Sequence, residues 1–354
     1  MLFWKLKKQE GKQEAVASPE AILENKKEYM LESGAKVSLE WKISNPEQSL
    51  EKDPHKAVIF LPGWGVRAND ASVRGLSDAF AEDIQAYTIT SLSKYKDFNV
   101  TGDIKEKPDL LYEEAKAIAQ FIKEKGLTEV TLAGHSRGGN KAINLTQILQ
   151  QDKDLAVKGL ILMDAVGLYE QTSTELATNF IVDGAKTFIK SPSAIRKANQ
   201  TTIDIIKTIG KQIGEDGLSY PKEFANQVAD MAHSNVRMAD IEVPVIIISG
   251  TKDLVSQPDK IVDKEEVDDI VRRRTEGAFV GEKLSSRGEV LKNSLFKKSP
   301  YVVMLAPEKL GHHGLPIYRA DQMAHVSLKL VNRANRNLES VASAQEESQT
   351  GIQQ

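Results

Sequence analysis

The chain contains no cysteine. Disulfides, thiolate zinc sites and a cysteine nucleophile are excluded, and the absence fits a reducing compartment such as the cytoplasm. Long apolar runs are missing as well. The strand-like run VPVIIISG, Val243 to Gly250, falls far short of the roughly 18 residues that span a bilayer, so no integral membrane segment is expected. Net charge is nearly absent: 47 basic residues oppose 50 acidic ones, leaving −3. That balance carries no footprint for nucleic acid or for an anionic membrane surface. The first residues, MLFWKLKKQEGKQE, place their apolar side chains ahead of their lysines, the reverse of a secretion signal. They read as a polar tail, with a membrane-surface contact through Phe3 and Trp4 as the other reading. No internal repeat and no phosphate-binding P-loop is present.

What is there suits a soluble globular protein. Hydrophobic residues make up 40% and charged residues 27% of 354 positions, enough for one large domain with an insertion or for two domains. From Lys56 to Gly167 short apolar runs alternate with helical periodicity. KAVIFLPGWG, IQAYTITS, EVTLAG and VKGLILMDAVG read as strands. PDLLYEEAKAIAQFIKEKG reads as an amphipathic helix with Leu110, Ala115, Ala119 and Ile122 on one face and Gly126 as its stop. EYMLESGAKVSLEWKI reads as two strands around Ser33 and Gly34. Strands alternating with helices predict an α/β fold, a mostly parallel central sheet flanked by helices.

That alternation stops between residues 168 and 241, where only helical spacing remains. Leu176, Phe180, Ile181 and Phe188 share one face, Ile203, Ile206 and Ile213 a second, and Phe224, Val228, Met231 and Ala232 a third, with Pro192 and Pro221 between them. The expected organisation is a polar tail over 1–25, a core of 26–167 and 242–336, a helical insertion over 168–241, and a disordered tail over 337–354. The charged stretch 259–298 holds EEVDDIVRRR, read as a solvated surface helix whose acids lead and whose bases follow. The last helix is expected over 317–333.

EVTLAGHSRGGNKAI, Glu129 to Ile143, is a strand, a sharp turn and a helix start. Its Gly134-His135-Ser136-Arg137-Gly138 fits the strained strand-to-helix turn known as the nucleophile elbow. Such a turn pushes its central residue into a disfavoured backbone region, and residues two positions either side must be small. Gly134 and Gly138 meet that demand, and Ser136 becomes the candidate nucleophile. A serine hydroxyl needs a base, and the chain has six histidines. His312 and His313 follow the final strand, in EKLGHHGLP, and would share a rim with the elbow. Gly311 leaves room for His312, with His313 as the alternative. The base needs a carboxylate to orient it. Asp253 follows the VIIIS strand, and Asp164, after GLILM, is the competing acid. Oxyanion donors are expected at the backbone N–H of Arg137, valued for that N–H more than for its charge, and at the N–H of Trp64, between Gly63 and Gly65. The Gly-x-Gly there does not complete a dinucleotide fingerprint, because Ala68 occupies the third glycine position.

LPGWG, GHSRGG, SGTKD and LGHHG, in that order between Tyr29 and Arg333, resemble the α/β-hydrolase superfamily. The order Ser136, Asp253, His312 is that family's order. The resemblance implies serine hydrolase chemistry on a carboxylic ester or thioester, and a helical lid inserted after the strand that follows the elbow. It implies a small-molecule acyl substrate and no metal or cofactor. A ligand-binding receptor or scaffold on the same fold is the alternative. Two departures stand out: Pro62 replaces a histidine that braces the oxyanion loop in many relatives, and about 30 extra residues separate Asp253 from His312.

Overall fold

The computed structural model describes residues 25–44, 53–82, 84–92, 109–189, 220–233, 238–262, 280–308 and 320–350. In chain order the strands are β1 (Asn25–Met30), β2 (Lys36–Ser44), β3 (Lys56–Leu61), β4 (Gln85–Ser91), β5 (Glu129–His135), β6 (Ala156–Met163), β7 (Val245–Ile248) and β8 (Val302–Leu305). The helices are α1 (Ala71–Phe80), α2 (Leu110–Glu124), α3 (Arg137–Leu149), α4 (Ser173–Ile189), α5 (Tyr220–His233), the single turn α6 (Pro258–Ile261), α7 (Val280–Ser294) and α8 (Ala320–Thr350).

The eight strands form one sheet in the order β1-β2-β4-β3-β5-β6-β7-β8. Strand β2 runs antiparallel to both β1 and β4, and the remaining pairings are parallel. The first hairpin turns at Gly34, whose φ of +81° suits glycine, and the Leu31 N–H donates to the Ala35 carbonyl across 2.9 Å.

Alternation along each central strand feeds two cores. Ala57, Ile59 and Leu61 of β3, with Val245 and Ile247 of β7, face the layer built by α2, α3 and α7. Val58 and Phe60, with Ile246 and Ile248, face α1 and α8. A strand covered on both faces has no polar side, which is why these segments read as unbroken apolar runs. On the first face Phe121 packs its ring 4.9 Å from Trp41 and 5.7 Å from Tyr87, joining α2 to β2 and β4.

Two expectations change. The tail predicted to be disordered from Asn337 is helical through Thr350 as the end of α8. Ala320, Ala324, Leu328, Val331 and Ala334 seal that helix against the sheet, and the Asn335 side chain donates to the Lys158 carbonyl at 2.9 Å. Beyond it the described side chains are exposed. A docked nucleus of several turns makes each added hydrogen bond cheap, so a polar sequence that would be coil alone extends the helix. Second, the charged stretch also holds a helix that packs inward, α7: Val290 and Leu291 are buried, and Gly288 lies so close to β8 that an added Cβ would sit 2.2 Å from the Val302 carbonyl oxygen. EEVDDIVRRR and the second apolar face at Ile203, Ile206 and Ile213 lie outside the described residues.

Truncating Phe121 should expose how far the first core depends on one ring. Phe121→Ala is expected to lower unfolding free energy by about 3–5 kcal/mol, read as a shift of the urea midpoint at unchanged slope.

Candidate active site

Strand order sets where a site can form. The chain goes from β3 to β4 on one side, then crosses to β5 on the other side of β3. Helices therefore leave in opposite directions from neighbouring carboxyl ends, opening a crevice where ligands bind in open α/β sheets. Ser136 stands at that point.

Its backbone has φ 54° and ψ −124°, outside the regions open to ordinary L-residues. A conformation of this kind costs on the order of 1–3 kcal/mol and persists only when its surroundings enforce it. Here they do. The Ser136 N–H donates to the Met163 carbonyl at 3.0 Å, and its own carbonyl accepts from Gly139 N–H at 2.9 Å. A Cβ on Gly134 would lie 2.3 Å from the Gly138 carbonyl oxygen, and one on Gly138 would lie 2.0 Å from the Leu61 carbonyl oxygen. Both obstacles are backbone, so neither position admits a side chain without moving the turn. The loop after β3 closes over the serine from the other side: a Cβ on Gly63 would stand 3.1 Å from Ser136 Cβ and 3.6 Å from its Oγ. Trp64 follows at once, and Gly65 turns the loop with φ +73°. Further along this loop, Arg67 pairs with buried Glu40, and the Arg67 backbone N–H donates to Asp70 Oδ2 at 2.7 Å.

Asp253 occupies the same rim, beyond the carboxyl end of β7. Its Oδ1 accepts from the Val255 and Ser256 N–H groups at 2.7 and 2.9 Å. The loop it sits in is tied to the segment after β6, because Tyr169 Oη and Gln171 Nε2 both donate to the Val255 carbonyl, at 3.1 and 2.8 Å. Asp164, the competing acid, is fully buried at the end of β6 with φ 44°. Its Oδ1 accepts from Gly250 N–H at 2.9 Å, and its carboxyl meets that of Asp253. Burial first, then the negative Asp253, pushes the Asp164 carboxyl well above the ordinary aspartate range. The competition foreseen from sequence is thus a contact. His312 and His313 lie outside the described residues; the strand that leads toward them, β8, ends at Leu305 on this rim.

The described part of the 168–241 insertion consists of α4, α5 and a short turn at Met238–Asp240. Leu176 of α4 and Val228 and Met231 of α5 pack with Val166 and Val255, residues from the loops after β6 and β7. The helices therefore rest on the carboxyl-end rim. Phe180 and Ala232 are partly buried against the same cluster.

The Arg137 side chain has a role beyond its backbone N–H: its guanidinium is buried and forks onto Glu114 of α2, with Nη1 to Oε2 at 3.0 Å and Nη2 to Oε1 at 3.1 Å. Lys141, one turn along α3, lies 3.5 Å from the same carboxylate. Burial favours a neutral Glu114, but Arg137 and Lys141 outweigh it and hold the carboxyl below its usual range. Burial pushes Lys141 down to about 8 against the pull of Glu114. The sequence signal is a set of opposite charges on the buried faces of two helices that pack together, Glu114 on α2 and Arg137 and Lys141 on α3. Among the described residues no group of three or more histidine, aspartate and glutamate side chains is placed to hold a metal ion, and no helix is long and apolar enough to cross a membrane.

Neither a known family profile nor a curated protein sequence matches this chain. Solved structures do. An esterase from Exiguobacterium antarcticum aligns over 86% of this chain and 98% of its own at 18% identity, with a TM-score of 0.50. A meta-cleavage product hydrolase from Pseudomonas fluorescens aligns over 87% and 98% at 14% identity, TM-score 0.51. A bacterial membrane phospholipase A aligns over 88% and 87% at 13% identity, TM-score 0.51.

Two outcomes test the buried cluster. Glu114→Ala should cost about 3–5 kcal/mol in chemical denaturation, because it strands two cations. The folded chain releases the Lys141 proton near pH 8, whereas the unfolded chain keeps it to about 10.5, so the unfolded state binds more protons between those values. Unfolding free energy should rise with pH across that window relative to Lys141→Met, which lacks the titrating group. From the strand order, the strained serine turn and these alignments, the chain has the α/β-hydrolase fold.

Proposed function

We propose that the chain is a serine hydrolase that cleaves a carboxylic ester or thioester through Ser136, His312 and Asp253. The observation that carries this reading is the strained Ser136 held beneath the Gly63 loop. A strained backbone at a serine serves no packing purpose that glycine would not serve better. It does place the hydroxyl at a crevice and a helix N-terminus behind it.

In this mechanism His312 takes the Ser136 proton as Oγ attacks the carbonyl carbon. The backbone N–H groups of Trp64 and Arg137 hold the oxyanion. Asp253, its Oδ1 already fixed by two backbone donors, keeps charge available for the imidazolium. The protonated histidine gives its proton to the leaving group, and water activated by the same histidine releases the acyl group. The Arg137–Glu114 fork supports the oxyanion hole indirectly, because it fixes the residue whose N–H is used. Residues 168–241 act as a lid: their described helices pack on the loops that carry Asp164 and Asp253. Esterase and phospholipase names among the structural neighbours favour an ester-type substrate.

Fluorophosphonate labelling tests the assignment. The wild-type chain should label at Ser136 and Ser136→Ala should not. His312→Ala should lower kcat on p-nitrophenyl esters by at least about 10³-fold, and His313→Ala by much less. Undiminished labelling of Ser136→Ala would sink the assignment. An acyl burst followed by almost no turnover would favour a receptor on this fold instead.

A further inference from the structure

The carboxyls of Asp164 and Asp253 meet inside the protein, 0% and 3% exposed, on the loops that leave β6 and β7. Their surroundings are unequal. Asp253 Oδ1 takes two backbone N–H donors, from Val255 and Ser256, and its own N–H donates to the Gly250 carbonyl at 2.9 Å. Asp164 takes one, from Gly250 to Oδ1, while its Oδ2 is buried and receives no hydrogen bond from an N–H or hydroxyl among the described residues. Two carboxylates in contact cannot both stay ionised out of water, and the proton goes to the partner with fewer donors. The other charges that bear on Asp164 make the same demand. Asp183, buried on α4, adds a third negative charge. The Tyr169 phenol, which donates to the Val255 carbonyl at 3.1 Å, is also within electrostatic reach of Asp253.

We propose that Asp164 is a protonated carboxylic acid that donates its O–H to Asp253, so that the two act as one singly charged unit and Asp253 is held at the angle the histidine needs. Asp164 is then a positioning residue, acting on the reaction through Asp253 and touching no substrate. The inference rests on Asp253 as the acid of the proposed triad. The strained backbone fits this role. With φ 44°, position 164 favours aspartate or asparagine over bulkier residues, and the Asp164 N–H donates to the Ile248 carbonyl at 2.7 Å, locking β6 to the end of β7. The arrangement costs stability and keeps a titrating pair where packing alone would want none, as functional sites commonly do.

Asp164→Asn is the informative variant, because asparagine tolerates this backbone and can donate an N–H to Asp253 without titrating. An infrared spectrum of the whole protein at pH 7 should contain a carboxylic-acid carbonyl band that Asp164→Asn removes. Asp253→Asn should shift that band or remove it, since the acid has lost its charged acceptor and the like charge that kept it protonated. The folded carboxyl is raised above the ordinary value of 3.8, so the folded state holds more protons from there up to its own pKa. Wild-type stability should therefore fall, relative to Asp164→Asn, as pH rises from about 4. On a turnover substrate Asp164→Asn should lose less than about tenfold in kcat and Asp164→Ala about a hundredfold, both with KM little changed. Identical wild-type and Asp164→Asn spectra at pH 7, or an unshifted band in Asp253→Asn, would overturn the proposal. If Asp164→Asn does not fold, the Asp253→Asn spectrum decides alone. Failure of the wild-type chain to label with fluorophosphonate would count against the hydrolase reading, while a missing band counts against the carboxyl pair.

Discussion

The constraint on which this structure turns is a backbone contact, that of Gly138 with the end of β3. The helix α3 starts so close to Leu61 that even a methyl group at position 138 would reach into its carbonyl. That closeness follows from the sheet order, which makes β3 the neighbour of β5. It forces Ser136 into its strained conformation and brings the Gly63 loop over the hydroxyl. Everything proposed about chemistry at Ser136 depends on the turn staying this tight.

Around the turn, polar groups are buried where a simple α/β sandwich would carry none. The Arg137–Glu114–Lys141 group clamps the elbow helix to α2 on one side. On the other, Asp164 and Asp253 join the loops of β6 and β7. Each group is expensive to bury and each holds one element of the site against a neighbour. The charges in the first are opposite, which lets a lysine remain inside with only a lowered affinity for its proton. The charges in the second are alike, which leaves one proton trapped between two acids.

The helices of the insertion extend this pattern. They sit over Val166 and Val255, next to the two acids, and bring Asp183 into the same field. In the proposed hydrolase, a layer packed beside these two acids would let movement of the insertion and the charge of the acid pair influence one another.

Much of this was legible in the residues themselves. Strand and helix alternation, the glycines flanking Ser136, and acids at strand ends are local patterns, because each is imposed by backbone geometry over a few positions. The elbow could be read from five residues since its steric demand is satisfied within five residues, apart from the contact with Leu61. Other features were decided only by tertiary structure. Residues 337–350 are polar and coil-like in composition, and became helix because a docked segment before them had already met the cost of nucleation. Val290 and Leu291 lay hidden in a charged stretch because α7 needs only a narrow apolar face to cover β8. Arg137 and Glu114, 23 positions apart, could not be paired without knowing that α2 and α3 pack side by side. The sequence by itself offered Asp164 and Asp253 as rivals for one role. Parallel pairing of β6 with β7 brings the loops that leave the two strands to one rim, and in the low dielectric there the two acids are partners sharing a proton.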